Sequence, residues 1–239
     1  MERRSRVATL AALLGGLAAA DLVLGPILSH LVSPMTGFAL IFPLGAAAAL
    51  GAVVLGVVGW FLTAPGRARG RGRAGFAIAA GAGFLLLLGA LNAGNLAAPP
   101  INDITTDLED PPVFRAALRA EANAGRDMSY PEEFVLVVRD AYPDLAPIAV
   151  AAPPAEALAR AKAAAESLGW EVVEVREDTG ELEARQTSAV FAFVDDVVVR
   201  VRPADGGSRV DVRSKSRDGR GDLGANAARI RAFRDAVGS

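Results

Sequence analysis

The stretch Val212-Arg-Ser-Lys-Ser-Arg-Asp-Gly-Arg-Gly-Asp-Leu-Gly-Ala-Asn-Ala-Ala-Arg-Ile230 decides how the second half of the chain folds. It reads as the end of a β-strand, a polar glycine-bearing turn and the start of a helix. Asp222 stands where an N-cap would, its carboxylate facing the free amides of a first helical turn. Leu223, Ala227, Ile230, Phe233 and Val237 recur at helical spacing and give one apolar face. Arg213, Ser214, Ser216, Arg217, Asp218, Asn226 and Arg229 crowd the same junction. Such a cluster either ties strand to helix or binds something, and both readings stay open on the sequence.

Upstream, Pro153-Pro154 opens a helix with Ala157, Leu158, Ala161, Ala165 and Leu168 as its apolar stripe, closed by Gly169. Trp170 to Arg176, Glu181 to Gln186, Val190 to Arg202 and Arg209 to Lys215 read as four strands, with turns at Asp178-Thr-Gly180 and Asp205-Gly-Gly207. The order helix, four strands, helix predicts an α+β domain over residues 151–239: an antiparallel four-stranded sheet with both helices on one face. Asp195 and Asp196 are neighbours on the third strand, so their side chains point to opposite faces and form no acid/base dyad. Residues 99–150 are broken by Pro99, Pro100, Pro111, Pro112, Pro131, Pro143 and Pro147 and read as an extended arm. Within the arm, Pro112 opens a short helix carrying Phe114, Ala117 and Leu118, and Phe134-Val-Leu-Val-Val138 is a candidate strand.

The first hundred residues are of another kind. Apolar runs at about residues 7–28, 38–62 and 74–98 each reach the ~20 residues of a spanning helix, giving an all-α three-helix transmembrane region over residues 1–98. Asp21 interrupts the first run, and an ionisable group at that depth is a functional candidate unless it lies at the interface. Ala48, Ala52 and Gly56, and again Gly75, Ala79 and Gly83, are four apart, a spacing that lets helices approach closely. Trp60 reads as an interfacial anchor, and Asn92 and Asn95 mark an exit. This region holds seven Arg against Glu2 and Asp21, a balance of +5, whereas the remaining chain holds 18 basic and 25 acidic residues, a balance of −7. Arg3, Arg4 and Arg6 at one end and Arg67, Arg69, Arg71 and Arg73 between the second and third spans both favour the cytoplasm. Two spans separate them, so the third delivers the remaining chain to the other side. The expected location is the bacterial inner membrane, with a cytoplasmic N-terminus and a periplasmic or otherwise extracytoplasmic domain.

Composition also excludes chemistry. The acidic domain lacks a basic stripe for nucleic acid. The chain has no Cys and one His, His30, which lies in the membrane region; a Ser-His-Asp triad in the domain and a Cys- or His-rich zinc site are therefore excluded. No phosphate-binding loop follows a strand. Asp103, Asp107, Glu109 and Asp110 are either a carboxylate-only metal site or solvated turn acids. No cofactor, metal or catalytic residue is assigned.

Arg213-Ser-Lys-Ser-Arg217, Gly219, Asp222-Leu-Gly224, Asn226 and Arg229-Ile230 resemble the signature of the domain of unknown function 1499 family. The resemblance extends to Asp195-Asp196, Tyr142-Pro-Asp-Leu145, Asn102-Asp-Ile-Thr-Thr-Asp107 and Asp110-Pro-Pro112, and so covers roughly residues 100–239. It implies a bacterial or plastid protein, often membrane-linked, and implies no established activity. Some relatives carry a Cys near the Asn102 position; this chain does not, so no thiol role transfers to it.

The expected function is a non-enzymatic binding or interaction module for an anionic small ligand, a lipid headgroup or an envelope protein. Its ligand would be held by Arg213, Ser214, Ser216, Arg217, Asp222, Asn226, Arg229, Asp195 and Asp196. The expected partners are the lipid bilayer and an envelope protein or anionic small molecule. The alternatives are an envelope- or lipid-modifying enzyme using carboxylate acid/base residues, or a transport accessory subunit working through Asp21.

Overall fold

The computed structural model describes residues 4–65, 68–93 and 97–238. Arg3, Arg67 and Asn95, and with Asn95 part of the expected end of the third span, lie outside the described residues. Contacts divide the chain into two compact units, residues 1–96 with 189–192, and residues 97–188 with 193–239.

The first unit is built on three helices long and apolar enough to cross a membrane: Arg6–Leu31, Pro34–Leu62 and Arg71–Asn92. The first is α1. The second is composite: α2 (Pro34–Ala39), a π-helical turn (Leu40–Gly45) and α3 (Ala46–Leu62). The turn contains Pro43, which has no N–H to offer the carbonyl four residues back, and the helix widens there. The third is α4 (Arg71–Asn92). Small residues form the seams, as expected for helices that pack without a hydrophobic driving force between them. Ala48, Ala52 and Gly56 are buried. In α4, however, the buried positions are Ala74, Ala77, Gly81 and Phe84, so Gly75, Ala79 and Gly83 are not its contact stripe. A methyl group at Gly81 would lie 2.5 Å from the Ala49 carbonyl oxygen. Arg4 and Arg69 form a backbone bridge, and the Ser5 N–H donates to the Arg69 carbonyl at 3.0 Å, so both basic stretches lie at one end of the bundle.

The second unit has six antiparallel strands, two more than the periodicity predicts. They are β1 (Asp103–Thr105), β2 (Ile148–Val150), β3 (Glu171–Arg176), β4 (Glu181–Thr187), β5 (Val194–Ala204) and β6 (Gly207–Ser216). β3 to β6 make the expected meander. The two extra strands come from the arm and share the outer edge of β6, β1 beside residues 213–215 and β2 beside residues 208–210. At three residues each they are too short to display an alternation, and their pairing rests on β6 rather than on their own pattern.

The unit's helices are α5 (Ala116–Arg119), α6 (Phe134–Ala141), α7 (Pro154–Ser167) and α8 (Ala225–Val237). The Phe134–Val138 run is therefore helical, not a strand. Phe134, Val137 and Val138 turn to the core at i, i+3, i+4 spacing, and that burial outweighs the β-preference of the valines. The short helix begins at Ala116 rather than Pro112; Phe114 and Ala117 are buried, while Leu118 is exposed. α7 and α8 cover one sheet face, where Leu182, Val197, Val199, Val201, Val210 and Val212 meet Ala157, Ala161, Ile230 and Phe233. Trp170 stacks on Phe233 with centroids 5.1 Å apart. The arm covers the other face, packing Phe114, Ala117 and Met128 against Val198.

Candidate functional site

The polar residues of β6 alternate between these two faces. Arg213, Lys215 and Arg217 turn to the arm; Ser214 and Ser216 turn to α8.

Arg213 is 1% exposed, the largest fully buried side chain of the domain. Its Nε and Nη2 donate to Asp103 Oδ1 and Oδ2 at 2.9 and 2.7 Å, a fork-to-fork pair. Nη1 donates to the Pro112 carbonyl at 3.1 Å, and Nη2 also donates to the Met128 and Ser129 carbonyls at 3.0 and 2.9 Å. The guanidinium lies over the rings of Phe114 and Tyr130, 4.7 and 5.3 Å from their centroids. One arginine thus gathers β1, the Pro112 turn and the 128–130 segment onto the sheet. Burial pushes the Tyr130 hydroxyl well above the usual phenol range. Lys215 Nζ donates to the same Asp103 carboxylate at 2.9 Å.

On the other face Ser214 Oγ donates to Asn226 Oδ1 at 2.6 Å, and Asn226 Nδ2 donates to Ser216 Oγ at 3.0 Å and to the Asn102 carbonyl at 3.2 Å. Arg229 donates to Ser214, Asn226, Gln186 and Asp195. Asp222 accepts the Gly224 and Asn226 amides, both at 2.8 Å, and so serves the first turn of α8 from just before the helix. Burial pushes its carboxyl above the usual range, outweighing the amides that hold it down.

A cavity of about 260 Å³ opens on the arm side, lined by Asn102, Asn123, Arg126, Asp127, Met128, Asp196, Lys215, Ser216 and Arg217. Asp196 is held by Arg217 through bonds of 2.8 and 2.6 Å and by Asn123 Nδ2 at 2.9 Å. Asn123 Nδ2 also donates to the Ala117 carbonyl at 2.8 Å. Both neighbours are acceptors, which fixes the amide orientation and leaves Asn123 Oδ1 buried without a partner. A buried unpaired acceptor is costly. The cavity wall holds three cations, each with a carboxylate partner: Arg217 with Asp196, Lys215 with Asp103 and Arg126 with Asp218.

Asp196, Ser216 and Arg217 of the sequence-predicted residues line this cavity. Arg213, Ser214, Asp222, Asn226, Arg229 and Asp195 do not; their polar atoms are engaged by the partners above. Asn123, Arg126, Asp127 and Met128 were not foreseen. Glu121-Ala-Asn-Ala-Gly-Arg-Asp127 is one polar stretch among several in a proline-broken arm, and nothing in the sequence sets it apart. The expected acidic group divides: Asp103 faces Arg213 and Lys215, while Asp107 and Asp110 face arginines of β5 and β6. Glu109 contributes its amide to Asp107 Oδ1.

The profile of a family described as a protein of unknown function (DUF1499) matches residues 103–237. The chain belongs to this family. The DUF1499 region begins at Asp103, the buried partner of Arg213, and ends at Val237, the last residue of α8. It therefore takes in β1 and the arm together with the meander. No curated protein matches the chain.

Two outcomes follow for the DUF1499 domain. Arg213→Met leaves Asp103 buried beside a single cation and is expected to cost about 3–5 kcal/mol. Arg231→Met, which breaks a surface pair with Asp144 and an outer contact with the Tyr142 ring 5.6 Å away, is expected to cost about 1 kcal/mol. Urea unfolding followed by Trp170 fluorescence in a Trp60→Phe background measures both. Asp107 supplies the pH dependence. Burial raises its carboxyl, but the Asp110 amide, Arg209, the Glu109 amide and Arg202 together bring it below the usual value. As pH falls the unfolded chain therefore takes up this proton first, near ~3.9. The stability from Asp107 is complete above that pH and is lost on the acid side of it. Asp107→Asn should flatten the acid limb of the stability profile and leave its shape above pH ~5 unchanged.

Proposed function

We propose that this protein is a membrane-anchored binding module whose DUF1499 domain lies outside the cytoplasm and takes a small polar ligand with an anionic group into the cavity between arm and sheet. The observation that carries the reading is the gathering of Arg126, Lys215 and Arg217 around one cavity. Lys215 shares its single carboxylate, Asp103, with Arg213, so two cations there face one acid. The fitting ligand presents an anion toward Lys215 and toward Arg126, whose exposed pair with Asp218 at 3.1 Å is open to exchange. Binding is favoured over acid/base catalysis because Asp196, a carboxylate of the cavity lining, has both oxygens committed to Arg217 and Asn123.

The orientation is supported by the arginines. Arg4 and Arg69 lie at the same end of the bundle, short cytoplasmic segments collect such residues, and a third span follows. The proposed location is the bacterial inner membrane, with the domain on its periplasmic side.

Alkaline phosphatase fused after residue 239 should be active in cells, and a reporter that works only in the cytoplasm should be silent there; the reverse pattern overturns the orientation. For the site, thermal unfolding of the detergent-solubilised chain is followed with inorganic phosphate, glycerol phosphate and phosphoethanolamine. Each probe that binds should stabilise the protein by ~2.7 kcal/mol at 100 times its Kd, and Arg126→Gln should weaken the effect about tenfold. No stabilisation by any probe, or stabilisation indifferent to Arg126→Gln, overturns the site.

A further inference from the structure

Every arginine of the first hundred residues belongs to one of two short stretches, 3–6 and 67–73, and the acids there are Glu2 and Asp21. The described parts of the two stretches meet in the fold. Beside the backbone bridge of Arg4 and Arg69, Ser5 Oγ accepts the Ala8 amide at the start of α1. Gly70 packs behind them: a methyl group there would lie 3.3 Å from Ala8 Cβ and 3.5 Å from Thr63 Cγ2. The start of α1, the end of α3 and the start of α4 are thus drawn together. Arg4, Arg6, Arg69, Arg71 and Arg73 all stand exposed on this end of the bundle.

Their charge is not neutralised there. Among the described residues Arg4, Arg6, Arg71 and Arg73 have no carboxylate partner, whereas the arginines of β4, β5, β6 and α8 each have one. Asp21 stands fifteen residues along α1 from Arg6, about 22 Å at the helical rise and too far to pair. The Arg71 guanidinium lies over the Trp60 ring, 4.2 Å from its centroid, a contact that orients the cation without cancelling it.

Next to these cations the surface turns apolar at once. Leu10 follows Arg6 by four residues and Phe76 follows Arg73 by three, so each shares a helix face with its arginine, and both are 51% exposed. Exposed Trp60, Phe61 and Leu62 continue the belt at the end of α3. A cationic rim on an apolar belt, with a tryptophan at the boundary, matches both parts of a phospholipid: phosphate at the depth of the guanidiniums, acyl chains along the belt. The planar fork of arginine grips two phosphate oxygens together. A nucleic acid would use the rim and leave the belt idle.

We propose that this rim is a binding surface for anionic phospholipids of the adjoining leaflet, with headgroup phosphates on Arg4, Arg6, Arg71 and Arg73 and acyl chains against Leu10 and Phe76. Neither the cavity of the domain nor the side of the membrane on which the rim lies enters the argument.

The test uses the full chain reconstituted in vesicles of equal phosphatidylglycerol and phosphatidylcholine, extracted in mild detergent, with the retained lipids counted by native mass spectrometry. Phosphatidylglycerol should exceed phosphatidylcholine at least about fivefold in ~50 mM sodium chloride and fall toward parity in ~500 mM, where screening is strong. Replacing the four arginines together by Gln should abolish the preference while helix content by circular dichroism stays constant. Replacing them by Lys, which keeps the charge, should retain most of it; this variant and the salt series on the native chain decide the matter if the Gln variant does not fold. Parity in the native chain, a preference indifferent to salt, or one that survives the four Gln overturns the proposal. In phosphatidylcholine nanodiscs a short single-stranded RNA should not bind; RNA binding lost with the same four Gln makes the rim a nucleic-acid surface and overturns it as well.

Discussion

The domain depends on one ion pair that water does not reach. Arg213 and Asp103 are both buried, and the guanidinium makes five bonds, two of them to the carboxylate and three to carbonyls of the arm. Those carbonyls belong to segments without a regular hydrogen-bonding ladder, so the arginine satisfies backbone groups that would otherwise be stranded. Burying such a pair yields little net stability against an apolar substitute. Its value lies in geometry. A planar fork accepts few arrangements of its partners, so the arm is fixed in one register on the sheet and the cavity beside it keeps one shape.

The second polar cluster has a different purpose. Ser214, Ser216 and Asn226 join β6 to α8, and Arg229 extends the network to Asp195 on β5 and Gln186 on β4. With the fork on one face and this network on the other, every polar side chain from Arg213 to Arg217 is occupied by a named partner. The cavity occurs where the two systems meet, at the end of β6, between Asn102 and residues 123–128 of the arm.

Much of this was legible in the sequence, and the parts that were not share a cause. The meander, α7, α8 and the three apolar helices all rest on local periodicity, which the residues display directly. Asp195 and Asp196 were rightly sent to opposite faces by strand geometry alone: one reaches Arg229 and the other Arg217. β1 and β2 were missed because a three-residue strand has no period, and its existence depends on an edge made far away in sequence. Phe134–Val138 misled because five apolar residues fit a strand and a helical face equally well until the core chooses. The polar residues around Arg213 are crowded in the sequence as in the fold; the same alternation that separates Asp195 from Asp196 also sends Arg213 and Lys215 to one side and Ser214 to the other, but the partners waiting on each side lie far away in sequence. Asn123 and Arg126 were invisible because loops place residues without a pattern.

The fork of Arg213 and Asp103 also joins residues 110 positions apart, and β1 sits beside the last strand of the sheet. A ribosome releases the arm long before it has made β6. Until then Asp103, Thr105 and the carbonyls of the Pro112 and Met128 turns have nothing to hold them, and the nascent domain carries an open edge. Closing a loop of that length is slow. Maturation of this domain therefore has a late step, in which its first strand to emerge is fastened last, and the interval before it is when proteases and chaperones have their access.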